Sequence, residues 1–516
     1  MTGQVLSALC GQAIRLHRAG RVAEAEQLYR QAMAGEPRAF LPRYLLGVIR
    51  FYAGHAAEAL ELIGGALRLE ENAEAFNIQG LILNILQRPQ EALESFDAAL
   101  RLEPRYGEAL NNRSNVLQQM GRFEDALESL DKALACDPGS AESWSNRAVV
   151  LQQSGQLEEA LISADRSLAI QKNARSWNNR GLILQAMKRL DDAIGSYDRA
   201  IAADPAYADA YWNKGLCCLL QGRFDPGLRL YEWRKKRIGA TGLRSFTQPE
   251  WSGDTDIAGK TLFVHAEQGL GDTIQFCRYA LLAAKTAKVV LSVQDCLVRL
   301  LSDLGSGITV MASSEPPPPF DYHIPLLSLP LAFAAEAIPA AFPYLRAQPE
   351  RVEAWRSRIG RDGFKIGIGW QGAPHGTVAL GRSFPLTQFA EISAMPGVRL
   401  ISLQKNAGRE QLLALPPGMR VETLVEDFDA GADAFLDTAA IMQCLDLVIT
   451  CDTALAHVAG ALGRPVWVGL QYVPDWRWFL ERSDSPWYSS MVLFRQPAPG
   501  DWGSVFAAMR EKLAAR

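Results

Sequence analysis

The stretch AESWSNRAVVLQQSGQLEEAL, residues 141–161, is one copy of a pattern that recurs through the first half of the chain. Trp144, Ala148 and Leu151 follow one another at helical spacing and lead to Gly155. Small residues where two helices cross, beside bulky ones, are what a closely packed helix pair requires. The stretch therefore predicts two packed helices joined by a turn at Gly155.

An alanine marks one fixed point of this unit every 33 or 34 residues. The marked positions are Ala25, Ala59, Ala92, Ala126, Ala160 and Ala193, with Gly227 in the seventh place. A helix–turn–helix unit cannot bury its apolar face alone, so copies of it stack. The pattern resembles the tetratricopeptide repeat family, although Gln87 and Lys188 replace the turn glycine in two units. We predict an α superhelical solenoid of about seven such units over residues 1–236.

Composition sets limits on the class of protein. A chain of 516 residues is too long for one core, and its 48% hydrophobic and 21% charged residues are typical of a globular protein. A net charge of −4 gives no general attraction to nucleic acid or to an anionic membrane. The most apolar stretch, around residues 324–342, is broken by prolines, so we expect no transmembrane segment.

Cysteine use and the first residues favour a cytoplasmic location. Eight cysteines are scattered without a CxxC pair, which indicates buried thiols in a reducing compartment. Arg15, Arg18 and Arg21 interrupt the apolar residues near the start, which argues against a signal peptide. No His/Cys cluster has the spacing of metal ligands, so we predict no metal.

Beyond residue 236 the texture changes to alternating strands and helices. We expect a linker at 237–258, a Rossmann-like lobe at 259–346 and a second Rossmann-like lobe at 347–516. The predicted strands are 261–265, 289–293 and 308–311, then 365–370, 399–404, 447–451 and 465–470. Alternation of this kind predicts parallel sheets covered by helices. Two such lobes would share a cleft.

The segment 266–273 follows the first predicted strand of the first lobe. Ligands of open α/β sheets bind at this edge, where Gly269 and Gly271 allow close approach of the backbone. Asp272 lies in the same segment. The alternative is that Asp272 only caps the next helix, because capping aspartates are common at such turns.

The second lobe repeats this arrangement at 447–463. A strand delivers Asp452 and Thr453 to the start of a helix that begins near Ala454, where free N–H groups favour a diphosphate. His457 lies one turn further along. The alternative is a capped helix with a structural histidine.

Cations converge on the same edge of the second sheet. The loop 372–385 carries His375, Arg382 and Ser383, and an arginine there can bind phosphate oxygens through two parallel hydrogen bonds. Lys405 follows the next strand. Two cations and a helix terminus at one edge predict a phosphate-bearing ligand. The literal GxGxxG string at 367–372 is discounted, because its first two glycines fall inside a predicted strand.

Several segments in order carry a more specific resemblance: GLGDTIQF (269–276), GIGWQG (367–372), RSFPL (382–386), SLQK (402–405) and CDTALAHVAGALGRPVWV (451–468). Together with PDWRW (474–478) and DSPWY (484–488), they resemble the C-terminal glycosyltransferase module of bacterial tetratricopeptide proteins. The set is similar to the ADP-heptose:lipopolysaccharide heptosyltransferase family. More remotely it is similar to O-GlcNAc transferase, which also joins a repeat solenoid to a two-lobed GT-B region.

This resemblance implies roles for particular residues. Asp272 would be the catalytic base, and Arg382 stands where heptosyltransferases use a lysine on the donor phosphates. The donor set that it implies is Gly269, Gly271, Gln371, Arg382, Ser383, Lys405, Asp452, Thr453, Ala454 and His457. The implied reaction is an inverting, metal-independent transfer with a nucleotide sugar as co-substrate and no cofactor.

Four asparagines stand at one offset in successive units, on the helix that lines the inner surface in this family. They are Asn112, Asn146, Asn179 and Asn213. An amide donates and accepts hydrogen bonds, so such a row can bind the backbone of an extended peptide. The alternative is that these amides cap or bridge adjacent helices.

The sequence therefore predicts a glycosyltransferase that modifies a hydroxyl of a protein, such as flagellin or another surface protein, held by the solenoid. A short first lobe at 259–346 favours an acceptor of that kind. Two alternatives stay open: a transferase that builds a glycan or lipopolysaccharide, and a non-catalytic tetratricopeptide scaffold. The sequence is also compatible with a homo-oligomer.

Overall fold

The computed structural model describes residues 3–237, 239, 244–334, 338–339, 343–373, 381–424 and 428–516. The chain divides into two compact units, Met1–Pro205 and Ala206–Arg516. The predicted solenoid ended at residue 236, so its last helix pair belongs to the second unit. The predicted linker and lobe boundaries stay predictions.

The first unit consists of helices in antiparallel pairs, as the repeat predicts. Their bounds are α1 Gly3–Arg18, α2 Val22–Gly35, α3 Phe40–Tyr52, α4 Ala56–Leu67, α5 Ala73–Ile85, α6 Pro89–Leu102, α7 Gly107–Gln119, α8 Phe123–Cys136, α9 Ala141–Gln153, α10 Leu157–Ile170, α11 Ala174–Ala186 and α12 Leu190–Ala203. The six marker alanines are all fully buried. The tetratricopeptide solenoid is confirmed.

Small residues lie where the paired helices cross. A β-carbon placed at Gly80 would come within 2.5 Å of the Phe96 ring, and one at Gly181 within 2.3 Å of the Tyr197 ring. The aromatic ring of each second helix therefore occupies the space that a side chain on the first helix would need. This is the close packing that the sequence predicted from alternating small and bulky residues.

The turn inside each unit requires a left-handed residue. Gly155 has φ +81°, and the two replacements, Gln87 and Lys188, adopt φ of 60° and 59°. A residue with a β-carbon pays a conformational cost there. The geometry of the turn is thus kept in the two units that lack the glycine.

Ionic contacts repeat along the first unit with the same period. Arg113 Nε donates to Asp97 Oδ1 at 2.7 Å, and its Nη1 donates to Ser129 Oγ at 2.6 Å. Each such arginine ties its own helix to the helix before it and the helix after it. The equivalent sets are Arg147 with Asp131 and Ser163, and Arg180 with Asp165 and Ser196.

The second unit opens with a helix pair and continues into a four-stranded parallel sheet. The helices are α13 Ala208–Leu220 and α14 Phe224–Tyr231, followed by a 3-10 turn at Glu232–Lys236. The strands are β1 Thr261–His265, β2 Lys288–Val293, β3 Ile308–Ala312 and β4 Tyr322–Pro325, in the order β3-β2-β1-β4. Its helices are α15 Leu270–Phe276, α16 Arg278–Ala283, α17 Val298–Leu301 and α18 Leu329–Ala332.

A second, five-stranded parallel sheet follows. Its strands are β5 Phe364–Gly369, β6 Val398–Ser402, β7 Leu447–Cys451, β8 Val466–Leu470 and β9 Met491–Arg495, in the order β6-β5-β7-β8-β9. Its helices are α19 Pro349–Ile359, α20 Ala390–Ser393, α21 Leu436–Gln443, α22 Ala454–Ala461 and α23 Trp502–Ala514. The predicted α/β fold with two parallel sheets is confirmed. Gly367 and Gly369 lie inside β5, which agrees with discounting the GxGxxG string.

A buried ion pair ties the start of the second unit to its first sheet. Arg234, in the 3-10 turn, donates from Nη2 to Glu267 Oε1 at 2.7 Å and to Ser328 Oγ at 2.8 Å. Glu267 lies in the loop after β1, and both charged side chains are almost fully buried. Because a buried charge is costly unless paired, this contact fixes the base of that loop. Among the described residues, no helix is long and apolar enough to cross a membrane.

Candidate active site

Asp272 lies in the first turn of α15, directly after β1. Helix α15 begins at Leu270, and Gly269 is its capping residue. The Asp272 carboxylate reaches back, so that its Oδ2 accepts the Gly269 N–H at 2.9 Å. The sequence alternative made Asp272 itself the cap. The structure instead gives it the third helical position, whose side chain supports the cap from within the helix.

The start of α22 forms the corresponding point of the second sheet. Thr453 precedes the helix in an extended conformation and makes no capping hydrogen bond with its side chain. Its hydroxyl pairs with the Thr450 hydroxyl at 3.2 Å. Ala454 is the first helical residue. A helix terminus without a side-chain cap can direct its N–H groups to an anion.

These two helix starts meet at Gly271. A β-carbon placed on Gly271 would lie 3.0 Å from His457 Cδ2 and 3.5 Å from the Ala454 Cα. The sequence predicted a glycine that lets a ligand approach the backbone. In the structure the neighbour of this glycine is helix α22, which thereby lies one contact away from Asp272.

His457 is held by aromatic neighbours. It is 5% exposed, its Nδ1 lies 3.1 Å from the Tyr488 hydroxyl, and its ring stacks on Trp478 with centroids 5.4 Å apart. Burial lowers the pKa of His457 well below its usual range, and the Arg477 guanidinium lowers it further. The imidazole is therefore neutral. These contacts agree with the structural alternative, and a role in donor binding stays a prediction.

The Tyr488 hydroxyl belongs to a longer buried network. It lies 3.3 Å from the Tyr344 hydroxyl, which accepts a hydrogen bond from Arg278 Nη2 at 3.1 Å. Arg278 Nη1 donates to the Trp487 carbonyl at 2.8 Å. The Arg278 guanidinium thus links α16, beside the first sheet, to the residues that hold His457 beside the second.

Asp452 sits among several charges. Its pKa is raised to about 6, chiefly by burial and then by the carboxylate of Asp475, while Arg477 and Arg382 act in the opposite direction. Arg382 thus lowers the pKa of Asp452, which lies two residues before α22. A cation at this place fits an anion-binding terminus.

The remaining predicted donor residues make hydrogen bonds to other groups of the protein. The Ser383 hydroxyl accepts the Gly372 N–H at 3.2 Å, and the Gln371 side-chain oxygen accepts a hydrogen bond from Gln411 at 3.2 Å. Lys405 donates to the carbonyls of Phe428 and Asp429.

The Lys405 ammonium is therefore bonded to backbone oxygens. The predicted donor-binding roles of Arg382 and Lys405 stay predictions. His375 of the same predicted loop lies outside the described residues.

Sequence reasoning did not single out two residues of this site, Arg477 and Asp475. Arg477, in a 3-10 turn at Trp476–Trp478, donates from Nη2 to Asp272 Oδ1 and from Nη1 to Asp475 Oδ1 at 2.8 Å. Only the PDWRW resemblance drew attention to this segment. The local sequence, an arginine between two tryptophans, does not distinguish a site arginine from an ordinary surface arginine.

The predicted acceptor asparagines are only partly free for a ligand. Asn112 Nδ2 donates to Asn77 Oδ1 at 2.9 Å, and Asn179 Nδ2 donates to Ser145 Oγ at 3.1 Å. These contacts bridge adjacent units, as the alternative stated. Asn146 is 5% exposed, and its Nδ2 has no hydrogen-bond partner among the described residues. Asn213 is buried and belongs to the second unit.

A concavity of about 340 Å³ does open beside Asn112 in the first unit. Most of the polar side chains around it are amides. They are Asn84, Asn112, Asn115, Gln118, Gln119 and, as the one cation among the described lining residues, Arg175.

Comparisons with known proteins agree with the two-part fold. Residues 381–471 match the family described as glycosyltransferase family 9 (heptosyltransferase), and residues 6–31, 44–107, 105–173 and 178–231 match tetratricopeptide repeat families. The chain therefore carries tetratricopeptide repeats followed by a glycosyltransferase family 9 domain. The family 9 match includes Arg382 and the segment 452–457 but not Asp272 or Arg477.

One curated relative is Protein FlbA of Caulobacter vibrioides, 27% identical over 328 residues, which are 57% of this chain and 53% of FlbA. The chain thus spans about half the length of that relative. Among solved structures, a tetratricopeptide repeat protein from Parabacteroides merdae is 19% identical with a TM-score of 0.41, covering 46% of this chain and 95% of that one. PilW, a type IV pilus biogenesis factor, is 23% identical with a TM-score of 0.38, covering 40% and 98%.

Proposed function

We propose that the protein is an inverting, metal-independent GT-B glycosyltransferase. It moves a sugar from a nucleotide-sugar donor to a hydroxyl of a protein acceptor that the solenoid binds. The family 9 match supports the transferase class. The observation that carries the proposal is the contact at Gly271, because it brings a candidate base to the anion-binding end of α22.

Asp272 acts as the base in this reaction. Its carboxylate takes the proton of the acceptor hydroxyl while that oxygen forms a bond to the anomeric carbon of the sugar. The bond from this carbon to the phosphate oxygen breaks, and its electron pair leaves with the nucleotide. Attack from the face opposite the leaving group inverts the configuration at the anomeric carbon.

The leaving nucleotide needs stabilisation of negative charge. The N–H groups at the start of α22 and the Arg382 guanidinium supply it in this proposal. Asp452 is adjacent, and its raised pKa of about 6 means that burial of its charge is already unfavourable. A bound diphosphate adds to that effect, so donor binding is expected to favour the protonated form of Asp452.

The solenoid selects the acceptor in this proposal. Its support is the concavity beside Asn112, where amides can pair with the backbone of an extended peptide without reading its side chains.

The first test identifies a donor and removes the base. Thermal-shift screening against UDP-, ADP-, GDP- and CMP-sugars selects the nucleotide sugar that raises Tm most. Asp272→Asn is then expected to lower nucleotide release from that donor at least about 100-fold while the donor still raises Tm. Asp484→Asn changes an exposed aspartate paired with Arg482 and serves as the control. Unchanged release in Asp272→Asn would show that Asp272 is not the base, and no release by the wild-type protein from any donor would favour a non-catalytic scaffold.

A second candidate function is a sugar transferase that builds a glycan or lipopolysaccharide. The bridging contacts of Asn112 and Asn179 favour it, because amides bonded within the solenoid are less available to a peptide. The double variant Asn112→Ala, Asn179→Ala separates the two functions. Loss of transfer to protein with unchanged hydrolysis of the donor supports a peptide acceptor, and an equal loss of both reactions contradicts peptide binding by these amides.

A further inference from the structure

Both oxygens of the Asp272 carboxylate are held, by residues from two distant segments of the chain. Oδ2 accepts the Gly269 N–H at 2.9 Å, within the loop after β1. Oδ1 accepts a hydrogen bond from Arg477 Nη2, which comes from the segment after β8. A carboxylate fixed at both oxygens keeps one orientation.

Arg477 is itself fixed, so it is unlike a mobile surface cation. Its side chain is 8% exposed, and its backbone N–H and Nη1 both donate to Asp475 Oδ1, at 3.0 and 2.8 Å. The guanidinium lies 4.9 Å from the centre of the Trp476 ring and 5.3 Å from that of Phe276. An arginine held by this many contacts loses little further freedom when it binds a carboxylate.

Negative charges outnumber positive charges around Asp272. Arg477 is one positive charge between two carboxylates, those of Asp272 and Asp475, and it also lowers the pKa of a third, Asp452. Tyr231, from α14, and neutral His457, behind Gly271, are further titratable groups close to Asp272 among the described residues. Burial raises the pKa of Asp272, Asp475 raises it as well, and Arg477 lowers it. Removal of Arg477 would leave two half-buried carboxylates close together without their shared cation.

We propose that Arg477 is a positioning residue of the transfer reaction, which orients the Asp272 carboxylate and keeps it ionised to accept a proton. This inference rests on the proposed function, in which Asp272 is the base. The guanidinium carries out this role from the segment after β8, so the base is complete only when that segment packs against the start of α15.

The test is the pH profile of kcat/KM for nucleotide release, with the donor selected by the UDP-, ADP-, GDP- and CMP-sugar screen. In Arg477→Gln the acidic limb is expected to move to higher pH by at least about one unit, which lowers the rate about tenfold on that limb. The rate recovers at high pH. Arg477→Lys keeps the charge and loses the forked geometry, so its limb stays near wild type while kcat falls.

A change of opposite sign comes from Asp475→Asn. Asparagine keeps an oxygen for Arg477 but removes the carboxylate that raises the pKa of Asp272, so the acidic limb is expected to move to lower pH. Arg482→Gln, which affects an exposed arginine of the same segment, is expected to leave the profile unchanged.

A second readout needs no donor. Because the folded pKa of Asp272 lies above its unfolded value, its ionised form costs stability at high pH and the cost disappears as pH falls through the folded pKa. The loss of Tm in Arg477→Gln should therefore be larger at pH 7.5 than at pH 5. An arginine that contributed only packing would lower Tm equally at both values.

The outcomes separate the inference from the proposed function. Limbs that move in opposite directions in Arg477→Gln and Asp475→Asn support the inference. If Asp272→Asn is inactive but Arg477→Gln has an unshifted limb and a pH-independent loss of Tm, the inference is wrong and the proposed function stands. If Asp272→Asn releases nucleotide at the wild-type rate, the assignment of the base is wrong, whatever Arg477 does.

Discussion

Gly271→Ala is the smallest change that acts on the contact between the two helix starts. It adds one methyl group at 3.0 Å from His457 Cδ2 and 3.5 Å from the Ala454 Cα. Carbon atoms pack best at about 3.5–4.0 Å, so the new methyl overlaps the imidazole by roughly 0.5 Å. His457 cannot turn away, because Tyr488 and Trp478 hold it. Helices α15 and α22 must therefore move apart.

The magnitude follows from two opposing effects. Overpacking of a tight contact costs about 1–3 kcal/mol, while replacing glycine by alanine inside a helix gains about 0.5–1 kcal/mol. The net expectation is a loss of about 1 kcal/mol, or about 2 °C in Tm for a unit of this size. A displacement of roughly half an ångström between Asp272 and the α22 terminus is expected to lower kcat about tenfold.

The assay compares Gly271→Ala with Gly503→Ala by thermal unfolding and by nucleotide release. Gly503 also lies in a helix of the second unit, and a β-carbon there would have 3.7 Å to its nearest neighbour, Asp501 Oδ1. The control is expected to raise Tm and keep the activity. A Gly271→Ala protein that matches this control in both measurements would refute the reasoning, since it would show that the contact has room for a side chain.

Three further changes test the packing by thermal unfolding. Arg278→Met removes the hydrogen bonds to Trp487 and Tyr344 and should lower the free energy of unfolding by at least about 2 kcal/mol. Its control, Arg482→Met at the surface, should lower it by less than about 0.5 kcal/mol. Ala160→Leu overpacks a fully buried helix crossing and should cost about 1–3 kcal/mol, and Ile162→Leu, at a position that is 60% exposed, should change little. Gln87→Gly removes the cost of a left-handed backbone, φ 60°, and should raise the free energy of unfolding by about 1 kcal/mol. A lower Tm would show that the Gln87 side chain stabilises the fold by more than its backbone conformation destabilises it.

Local patterns were enough to predict most of the fold. The alanine period predicted the helix pairs, because each unit repeats the same local packing. Apolar runs bounded by turn residues predicted β1, β7 and β8 to within a residue. Strands β4 and β9 were missed. β4 has only four residues and ends in a proline, so it carries no period that distinguishes a strand from a loop.

The candidate site was predicted less completely. Asp272 and the segment 452–457 could be recognised, because each follows a strand at the edge where ligands bind. Lys405 met the same criterion, yet its ammonium bonds the carbonyls of Phe428 and Asp429. Position at the end of a strand predicts the edge of the sheet, but the direction of a long side chain depends on loops that pack against it.

The sequence by itself determined the repeat, the two parallel sheets and the two helix starts that follow strands, because these depend on neighbours close in the chain. Only the tertiary structure decided that Arg477 binds Asp272, which lies 205 positions earlier in the chain, and that the neighbour of Gly271 is a second helix. The amides of Asn112 and Asn179 were likewise found bonded to adjacent units. Contacts between distant segments depend on how the two sheets and their loops pack together, and no local spacing in the chain encodes that packing.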